Sequence, residues 1–263
     1  MTTMHDEIAT QTQLLPNRVA LITGGSRGIG AATATLFARH GAAVAVNYLR
    51  NEEAARQVVD GIVAAGGRAI AIQADVRDQR QVEAMAHQAH DAFGPIDTLI
   101  LNAAVASGFT PSPIVRQRWE DLARDAAEWL RAALLPIQAV LPAMVERRDG
   151  SIVVVGSALT RQPVESFGAL GVTKASVDAL ARSLAQELGP QGIRVNTVSP
   201  GTVLTDLTRF IPQQQQEAIA AYTPLRRLAR PADVAGAILL LASDQAHFVT
   251  GAYLPVSGGM HIL

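Results

Sequence analysis

The chain has 263 residues, of which 49% are apolar and 17% are charged, so it can bury a large core and is not a disordered chain. Its 22 basic and 23 acidic side chains nearly cancel, which gives no indication of a polyanionic partner such as nucleic acid. There is no cysteine, and this excludes disulfides, thiol nucleophiles and thiolate metal sites. The length suits one large α/β domain.

The first 16 residues are polar and lack both the basic and the apolar region of a secretion signal. We therefore expect residues 1–16 to form a flexible arm that ends at Pro16. Apolar runs of membrane-spanning length are absent from the sequence. These features predict a cytoplasmic protein without a membrane partner.

Short apolar runs then alternate with helical patterns. The predicted strands are 19–23, 43–47, 69–73, 98–102, 151–156, 194–199 and 253–256. The predicted helices are 28–40, 52–65, 77–93, 118–144 with an interruption at Pro136, 171–188 and 231–242, while the polar run 213–216 fits a solvated loop or a helix face. Continuous apolar strands between helices predict βαβ units. The fold class is therefore α/β, a Rossmann-type doubly wound parallel sheet of about seven strands with helices on both faces, in a single domain over 17–263.

A glycine-rich segment joins the first predicted strand to the first helix. Backbone N–H groups in such a turn can approach a pyrophosphate, and the helix N-terminus adds partial positive charge. Because the motif follows a strand and opens a helix in the first βαβ unit, it predicts a dinucleotide site. The residues that would form it are Gly24, Ser26, Arg27, Gly28, Ile29 and Gly30.

The spacing Thr-Gly-x-x-x-Gly-x-Gly resembles that of the short-chain dehydrogenase/reductase family, and the resemblance covers about residues 16–263. Further matching motifs follow in the expected order, namely Asp75-Val76, Asn102-Ala103-Ala104, Ser157, Lys174, Asn196 and Pro200-Gly201. The resemblance implies an oxidoreductase with a nicotinamide cofactor. It also implies contacts to the adenine from Asp75 and Val76, to the ribose side from Asn102 and Ala103, and to the carboxamide from the segment of Pro200, Gly201, Val203 and Thr205.

The end of the second strand bears on the choice between NADP(H) and NAD(H). An acid there would bind the ribose 2′-hydroxyl of NAD and repel a 2′-phosphate. This chain has Asn47 at that position, followed by Arg50, and Arg27 lies in the glycine loop. An arginine can pair with a phosphate in a bidentate way, although both arginines could also be ordinary surface charge. We therefore expect NADP(H) rather than NAD(H).

The resemblance also implies catalytic positions. Most members of the family have a Tyr four residues before the Lys; its hydroxyl protonates the carbonyl oxygen, while a Ser polarises the substrate and an Asn continues a water wire. In the family the Lys lowers the pKa of that Tyr and also holds the nicotinamide ribose. Here Ser157 and Lys174 occupy their positions and are the catalytic candidates, and the resemblance implies that Lys174 also contacts the cofactor. Leu170 stands at the Tyr position and Trp129 at the Asn position. With Phe167, these two side chains are expected to line an apolar substrate pocket.

One branch of the family, the enoyl-acyl-carrier-protein reductases, has its Tyr seven residues before the Lys. That position is Phe167 here, in a segment that resembles the branch without its hydroxyl, and Thr205-Asp206-Leu207 also resembles it. Reduction of a conjugated C=C creates an enolate, which electrostatic contacts can stabilise and which takes its proton on carbon from water. Ketone reduction needs a proton on oxygen. The missing hydroxyl therefore favours enone or enoyl substrates slightly over ketones.

Two other functions remain open at this stage. The chain could be a catalytically silent nucleotide-binding protein with this fold, or a non-redox enzyme that reuses the pocket. The histidines lack ligand spacing, so no metal site is predicted. The substrate, a small molecule or an acyl thioester, is not identified. Since the family usually associates through two long helices, here around 118–144 and 171–188, we expect a homodimer or homotetramer.

Overall fold

A computed structural model describes residues 13–105, 110–206, 208–209 and 211–261. Seven strands form one sheet in the order β3-β2-β1-β4-β5-β6-β7, and every neighbouring pair is parallel. The strands are β1 (Val19–Ile22), β2 (Ala43–Tyr48), β3 (Arg68–Gln73), β4 (Thr98–Leu101), β5 (Gly150–Val155), β6 (Ile193–Pro200) and β7 (Tyr253–Val256). The prediction of a doubly wound parallel sheet of about seven strands is confirmed.

Helices cover both faces of the sheet and create two apolar cores. They are α1 (Gly28–Arg39), α2 (Glu52–Ala64), α3 (Gln79–Phe93), α4 (Trp119–Arg147), α5 (Gly168–Leu188), α6 (Gln213–Tyr222) and α7 (Pro231–Ala242). One core lies between the sheet and α3, α4 and α5, and the other between the sheet and α1, α2 and α7. Burial on both faces explains why the strands are apolar at nearly every position.

The strand order reverses between β1 and β4. After β3 the chain returns through α3 and pairs β4 with the other side of β1, with Ile22 opposite Ile100. A parallel sheet opens a crevice at such a reversal, outside the carboxyl ends of its strands. The loops after β1 and β4 therefore meet there, and the loops after β5 and β6 follow along the same edge.

The structure corrects the predicted interruption of the fourth helix. α4 runs without a break from Trp119 to Arg147 and contains both Pro136 and Pro142. Each proline removes one backbone N–H from the helix. Pro136, Ile137 and Val140 are nevertheless buried, and the apolar face of α4 packs into the core beside α3 and α5, which offsets the missing hydrogen bonds.

The structure bears on two further predictions, the lack of a membrane-spanning segment and the conformation of the polar run 213–216. α4 is long and apolar enough to cross a membrane by length and composition alone, but its apolar face is part of the domain core. The polar run 213–216 forms the beginning of α6, so the second of its two alternatives, a helix face, is the observed one.

The expectation of a flexible arm over 1–16 is wrong for its last residues. Leu15 is fully buried in the core beside α1, and its N–H donates to the carbonyl oxygen of His40 at 3.0 Å. Leu15, together with the partly buried Leu14, thus fastens residues 13–16 to the domain. Residues 1–12 lie outside the described residues.

Candidate active site

The glycine loop after β1 is held by two amide side chains. The N–H of Gly24 donates to Oδ1 of Asn47 at 3.1 Å. Nδ2 of Asn102 donates to the carbonyl oxygens of Thr23 and Gly24 at 3.0 and 2.9 Å. Gly24 has φ +62°, and a Cβ there would lie 2.8 Å from the Cα of Ala103. Only glycine fits this position, and the loop is fixed before any ligand arrives.

The start of α1 has the properties of an anion site. Arg27 precedes the helix and makes no side-chain cap, and the first turn has no acidic side chain. The N–H groups at a helix start have no partner within the helix, so they can donate to a phosphate, and the helix dipole favours negative charge there. Thr205 lies over the loop, since a Cβ on Gly28 would be 3.4 Å from its Cγ2. The loop therefore fits the pyrophosphate of a dinucleotide.

Asn47, a predicted cofactor contact, is part of the support of the glycine loop. Its side chain is 2% exposed, and Nδ2 donates to the carbonyl oxygen of Ala74 at 3.0 Å while Oδ1 accepts from Gly24. Both ends of the amide are thus used to join β2, β3 and the glycine loop. Arg27, by contrast, is 61% exposed, with Nη1 3.9 Å from Oδ2 of Asp206.

An ionic network fixes the loop after β3. The carboxylate of Asp75 accepts from Nε and Nη2 of Arg77 at 2.9 and 2.7 Å, and Nη1 of Arg77 reaches Glu128 on α4 at 3.0 Å. The hydrogen bond from Arg77 is the main cause that lowers the pKa of Asp75. Asp75 is therefore charged and held in one orientation next to Val76, which is buried.

Ser157 follows β5 and begins a short 3-10 turn over Ala158–Thr160. Its Oγ accepts from the N–H of Leu159 at 3.3 Å. Its carbonyl oxygen accepts from Oγ1 of Thr160 and from the hydroxyl of Tyr253, both at 3.0 Å. The backbone of the serine is thus held from two sides, while the side chain remains half-buried.

Lys174 reaches the same strand end from α5. Its Nζ donates to the carbonyl oxygen of Val155 at 3.1 Å and lies 3.8 Å from the ring centroid of Trp129. Part of the Lys174 side chain is solvent-accessible, but its amine is surrounded by protein atoms. This burial lowers the pKa of Lys174 to about 7, although the negative charge of Asp178 acts in the opposite direction and raises it. Because Val155 and Ser157 are two residues apart, the structure brings both predicted catalytic residues together at the end of β5.

Of the three predicted pocket residues, Trp129 lies at this strand end. Trp129 is 9% exposed and covers Lys174, and Leu170 in the first turn of α5 packs against the same core. Phe167 directly precedes α5 and is half-buried. None of the three side chains carries a proton that could be transferred to oxygen.

The segment after β6 returns over the glycine loop, as the cofactor contacts predicted for it require. Gly201 donates to the carbonyl oxygen of Val256 at 3.1 Å, Val203 is buried, and Thr205 lies over Gly28. Pro200 ends β6 directly before this segment. Leu207 of the predicted Thr205-Asp206-Leu207 motif lies outside the described residues.

Sequence reasoning missed the contribution of Tyr253. Its hydroxyl lies 2.7 Å from Oγ of Ser199, 2.9 Å from Oγ1 of Thr160 and 3.0 Å from the carbonyl oxygen of Ser157. Arg161 lies over its ring at 4.8 Å from the centroid. The sequence places Tyr253 at the start of the last strand but does not reveal that this strand lies next to β6, so the contact could not be found.

The sequence reasoning also missed two further features. Nδ1 of His261 contacts Oε1 of Gln162, which joins the C-terminal segment to the loop after β5.

Lys174 is the single lysine of the chain; the other 21 of the 22 lysine and arginine side chains are arginines. The lysine count was available from composition alone. Among the described residues no group of three or more His, Asp and Glu side chains could hold a metal ion.

A comparison with protein-family profiles matches residues 24–261 to a family described as enoyl-(acyl carrier protein) reductase. The chain is 39% identical over 255 residues to the L-rhamnose 1-dehydrogenase (NAD(P)(+)) of Sphingomonas sp. (strain SKA58), covering 95% of this chain and 98% of that protein. It is 35% identical over 243 residues to the 3-oxoacyl-(acyl-carrier-protein) reductase FabG of Staphylococcus aureus (strain N315), covering 92% and 98%.

Solved structures show the same architecture. A 7α-hydroxysteroid dehydrogenase complexed with NADH and 7-oxo glycochenodeoxycholic acid matches with a TM-score of 0.88 and 33% identity, over 94% of this chain and 96% of that one. A dehydrogenase/reductase from Sinorhizobium meliloti 1021 matches with a TM-score of 0.85 and 35% identity, over 95% and 98%.

Proposed function

Because the chain belongs to the short-chain dehydrogenase/reductase family of NAD(P)-dependent oxidoreductases, we propose that it uses NADPH to reduce a substrate that bears a carbonyl group. The observation that carries this proposal is the position of Ser157 and Lys174 at the end of β5, on the sheet edge that also holds the glycine loop. When bound there, the cofactor supplies a hydride. Ser157 offers a hydrogen bond to a substrate oxygen, and Lys174 offers positive charge.

Arg27 supports NADPH as the cofactor. It is the exposed cation of the glycine loop, and the end of β2 carries Asn47 instead of a carboxylate that would repel a 2′-phosphate. Asn47 contributes to cofactor binding indirectly, because its side chain holds the glycine loop in place. We expect NADPH to bind more tightly than NADH, and tighter binding of NADH in a fluorescence titration would contradict this part of the proposal.

For the substrate, we favour a C=C bond conjugated to a carbonyl group. The apolar side chains of Phe167 and Leu170 stand where the family has its proton donor, and the enolate of a conjugate reduction depends less on such a donor than an alkoxide does. The second candidate is the interconversion of an alcohol and a carbonyl group. The similarity to an L-rhamnose 1-dehydrogenase and to the 3-oxoacyl-(acyl-carrier-protein) reductase FabG supports this alternative.

The test is a panel of enoyl thioesters, enones, ketones and aldoses with purified protein, followed at 340 nm with NADPH and with NADH. Turnover on enoyl or enone substrates supports the first candidate, and turnover restricted to ketones, or to aldoses in the oxidative direction, supports the second. Ser157→Ala and Lys174→Ala should both lose activity, and full activity in both variants would contradict the site. Cofactor binding without any turnover would favour a silent nucleotide-binding protein.

We propose further that the protein acts in the cytoplasm as a homodimer or homotetramer. α4 and α5 are the long helices through which members of this family associate, and Val172 on α5 and Val145 on α4 are exposed apolar side chains. These exposed valines support the proposal because apolar side chains on an outer helix face are suited to contact with another subunit.

A further inference from the structure

Reduction at this site needs a proton as well as a hydride. Neither Phe167 nor Leu170 can supply one, and the Trp129 side chain next to Lys174 is an indole that stays protonated. Tyr253 is the nearest phenol along the sheet, but its O–H is directed at the carbonyl oxygen of Ser157. Water can protonate the carbon of an enolate; for a proton delivered to the substrate oxygen, the candidates are the other groups at the end of β5.

We propose that the ammonium group of Lys174 is this donor and transfers its proton directly to the substrate oxygen. The inference rests on the proposed function and adds to it the identity of the acid. It gives Lys174 a catalytic role in its own right, in place of the supporting role that a lysine has beside a tyrosine.

The geometry leaves the amine free to act. A lysine ammonium has three N–H groups, and the hydrogen bond to the carbonyl oxygen of Val155 uses one of them. The face of Trp129 covers one side at 3.8 Å and favours the cation through its ring electrons. Ser157 lies two residues beyond Val155, so a substrate oxygen bound by the serine lies at the same strand end as Nζ.

The electrostatic surroundings make the proton transferable. From its own helix Lys174 is acted on by Asp178, which favours the cation. β5 presents an uncharged carbonyl, and on α4 the acid next to Trp129, Glu128, is paired with Arg77. Burial outweighs Asp178 and lowers the pKa of Lys174 to about 7, close to the value that suits a general acid at neutral pH.

The composition of the chain supports the same role. Every other basic side chain is an arginine, which holds its proton at any physiological pH. If the site required only a positive charge, arginine would serve, as it does at the other 21 basic positions. Among the lysine and arginine side chains, Lys174 is therefore the one whose cation can act as an acid near neutral pH.

A reduced nicotinamide in this site would supply a hydride to the substrate carbon, and the π-electron pair of the carbonyl group, or of the conjugated system, would move towards oxygen. A new O–H bond forms as one N–H bond of Lys174 breaks, which leaves a neutral amine. The amine takes up a proton from water, and in a conjugate reduction the enol then becomes the saturated carbonyl compound by exchange with water.

The first experiment measures the lysine without any turnover. Because the chain has one lysine, protein grown with [ε-13C]lysine gives one side-chain resonance in an NMR spectrum. We expect its chemical shift to titrate with a midpoint near pH 7. A midpoint above pH 10, the ordinary range of lysine, would overturn the inference whatever the activity of the protein.

The second experiment measures turnover. Lys174→Arg keeps the charge but cannot release a proton, so we expect it to lose about 100-fold or more of kcat, as much as Lys174→Met does. Wild-type kcat should fall tenfold per pH unit above the NMR midpoint, because the acid form is required. Retention of activity in the arginine variant, or a flat pH profile, would show that the lysine acts only by its charge.

A third arm guards against a variant that merely fails to fold. Since the chain has no cysteine, Lys174→Cys can be alkylated with 2-bromoethylamine at that position alone to give thialysine, whose ammonium is more acidic than that of lysine. We expect activity to return and the pH break to move to lower pH, and an unshifted break would contradict the role. If the wild type turned over no substrate at all, the proposed function would be wrong. The NMR midpoint separates this result from a failure of the inference about Lys174, because it is measured without turnover.

Discussion

The hydroxyl of Tyr253 holds the backbone of Ser157 in position. It lies within 3.0 Å of the Ser157 carbonyl oxygen and of two further hydroxyl groups, those of Thr160 and Ser199. Thr160 belongs to the turn after β5 and Ser199 to β6. Because the phenol contacts both hydroxyl groups, it joins this turn to the strand. The serine that should contact substrate is thus positioned by a residue from the last strand.

Tyr253→Phe should reduce the free energy of unfolding by about 1–3 kcal/mol, because removal of the hydroxyl takes away the hydrogen bond of the buried Ser199 side chain. The activity should fall through kcat, since the carbonyl oxygen of Ser157 loses one of the hydrogen bonds that hold it. Chemical denaturation and steady-state kinetics measure the two effects. Tyr222→Phe is the matched control, because Tyr222 is 84% exposed, and an equal loss of stability in this variant would contradict the explanation.

Arg27→Ala should weaken NADPH binding by about 10- to 100-fold, the range of one charged hydrogen-bonded contact, and change NADH binding much less. A titration of cofactor fluorescence measures both affinities. Arg56→Ala is the control, because Arg56 is an exposed arginine on α2 that pairs with Glu52 and should leave both affinities unchanged. An equal loss for NADPH and NADH in Arg27→Ala would show that the arginine contacts a shared phosphate.

At the scale of elements, helix ends and chain ends are fastened by a few contacts each. Asp233, the third residue of α7, accepts from the N–H of Arg230 at 2.6 Å and pairs with both Nη atoms of Arg227. The carboxylate satisfies a backbone donor and compensates the positive end of the helix dipole. Leu15 has the corresponding role at the other end of the chain, where it fills a core position beside α1.

Asp233→Asn should lower stability by about 1 kcal/mol at pH 7, a discounted value because the pair is partly exposed to solvent. The hydrogen bond from Arg227 lowers the pKa of Asp233 to about 2, so its stabilisation is present above about pH 4 and is lost as the pH falls towards 2. In urea denaturation, the difference in unfolding free energy between the wild type and Asp233→Asn should be smaller at pH 3 than at pH 7. The exposed Asp60→Asn should change stability by less than about 0.5 kcal/mol at either pH.

Leu15→Ala should cost about 2–5 kcal/mol of unfolding free energy, the range for a leucine removed from a closed core. Leu225→Ala, at a leucine that is 66% exposed, should cost less than about 0.5 kcal/mol. Thermal or urea denaturation compares the two. A neutral Leu15→Ala would mean that residues 13–16 are not fastened to the domain in solution.

At the scale of the whole molecule, the sheet and its two cores leave α4 and α5 with one buried and one outer face. If the outer face joins two subunits, Val172→Arg should shift the protein to a smaller species in size-exclusion chromatography with light scattering, because an arginine in an apolar contact is costly. Val63→Arg, at an exposed valine on α2, should leave the size unchanged. A Val172→Arg protein of unchanged size would contradict the proposed interface.

The sequence predicted the whole sheet because its strands are buried on both faces and therefore read as continuous apolar runs. It also named Ser157 and Lys174 as candidates, and one strand and one helix bring both to the end of β5. It failed where a contact depends on distant parts of the chain. The two side-chain partners of Asn47, the N–H of Gly24 and the carbonyl oxygen of Ala74, come from other loops, and the packing that supports Pro136 inside α4 is tertiary, so neither was visible in the sequence.

The position of β7 has a consequence for how the protein is made. Strands β1 to β4 and the glycine loop are complete when the first hundred residues have left the ribosome, and β5 and β6 can then be added outwards one after the other. Tyr253 opens the last strand and is therefore synthesised after the residues of every other strand. A nascent or C-terminally clipped chain would therefore have the phosphate loop in place and the turn of Ser157 unsupported, so a shortened protein should hold nucleotide better than it turns over substrate.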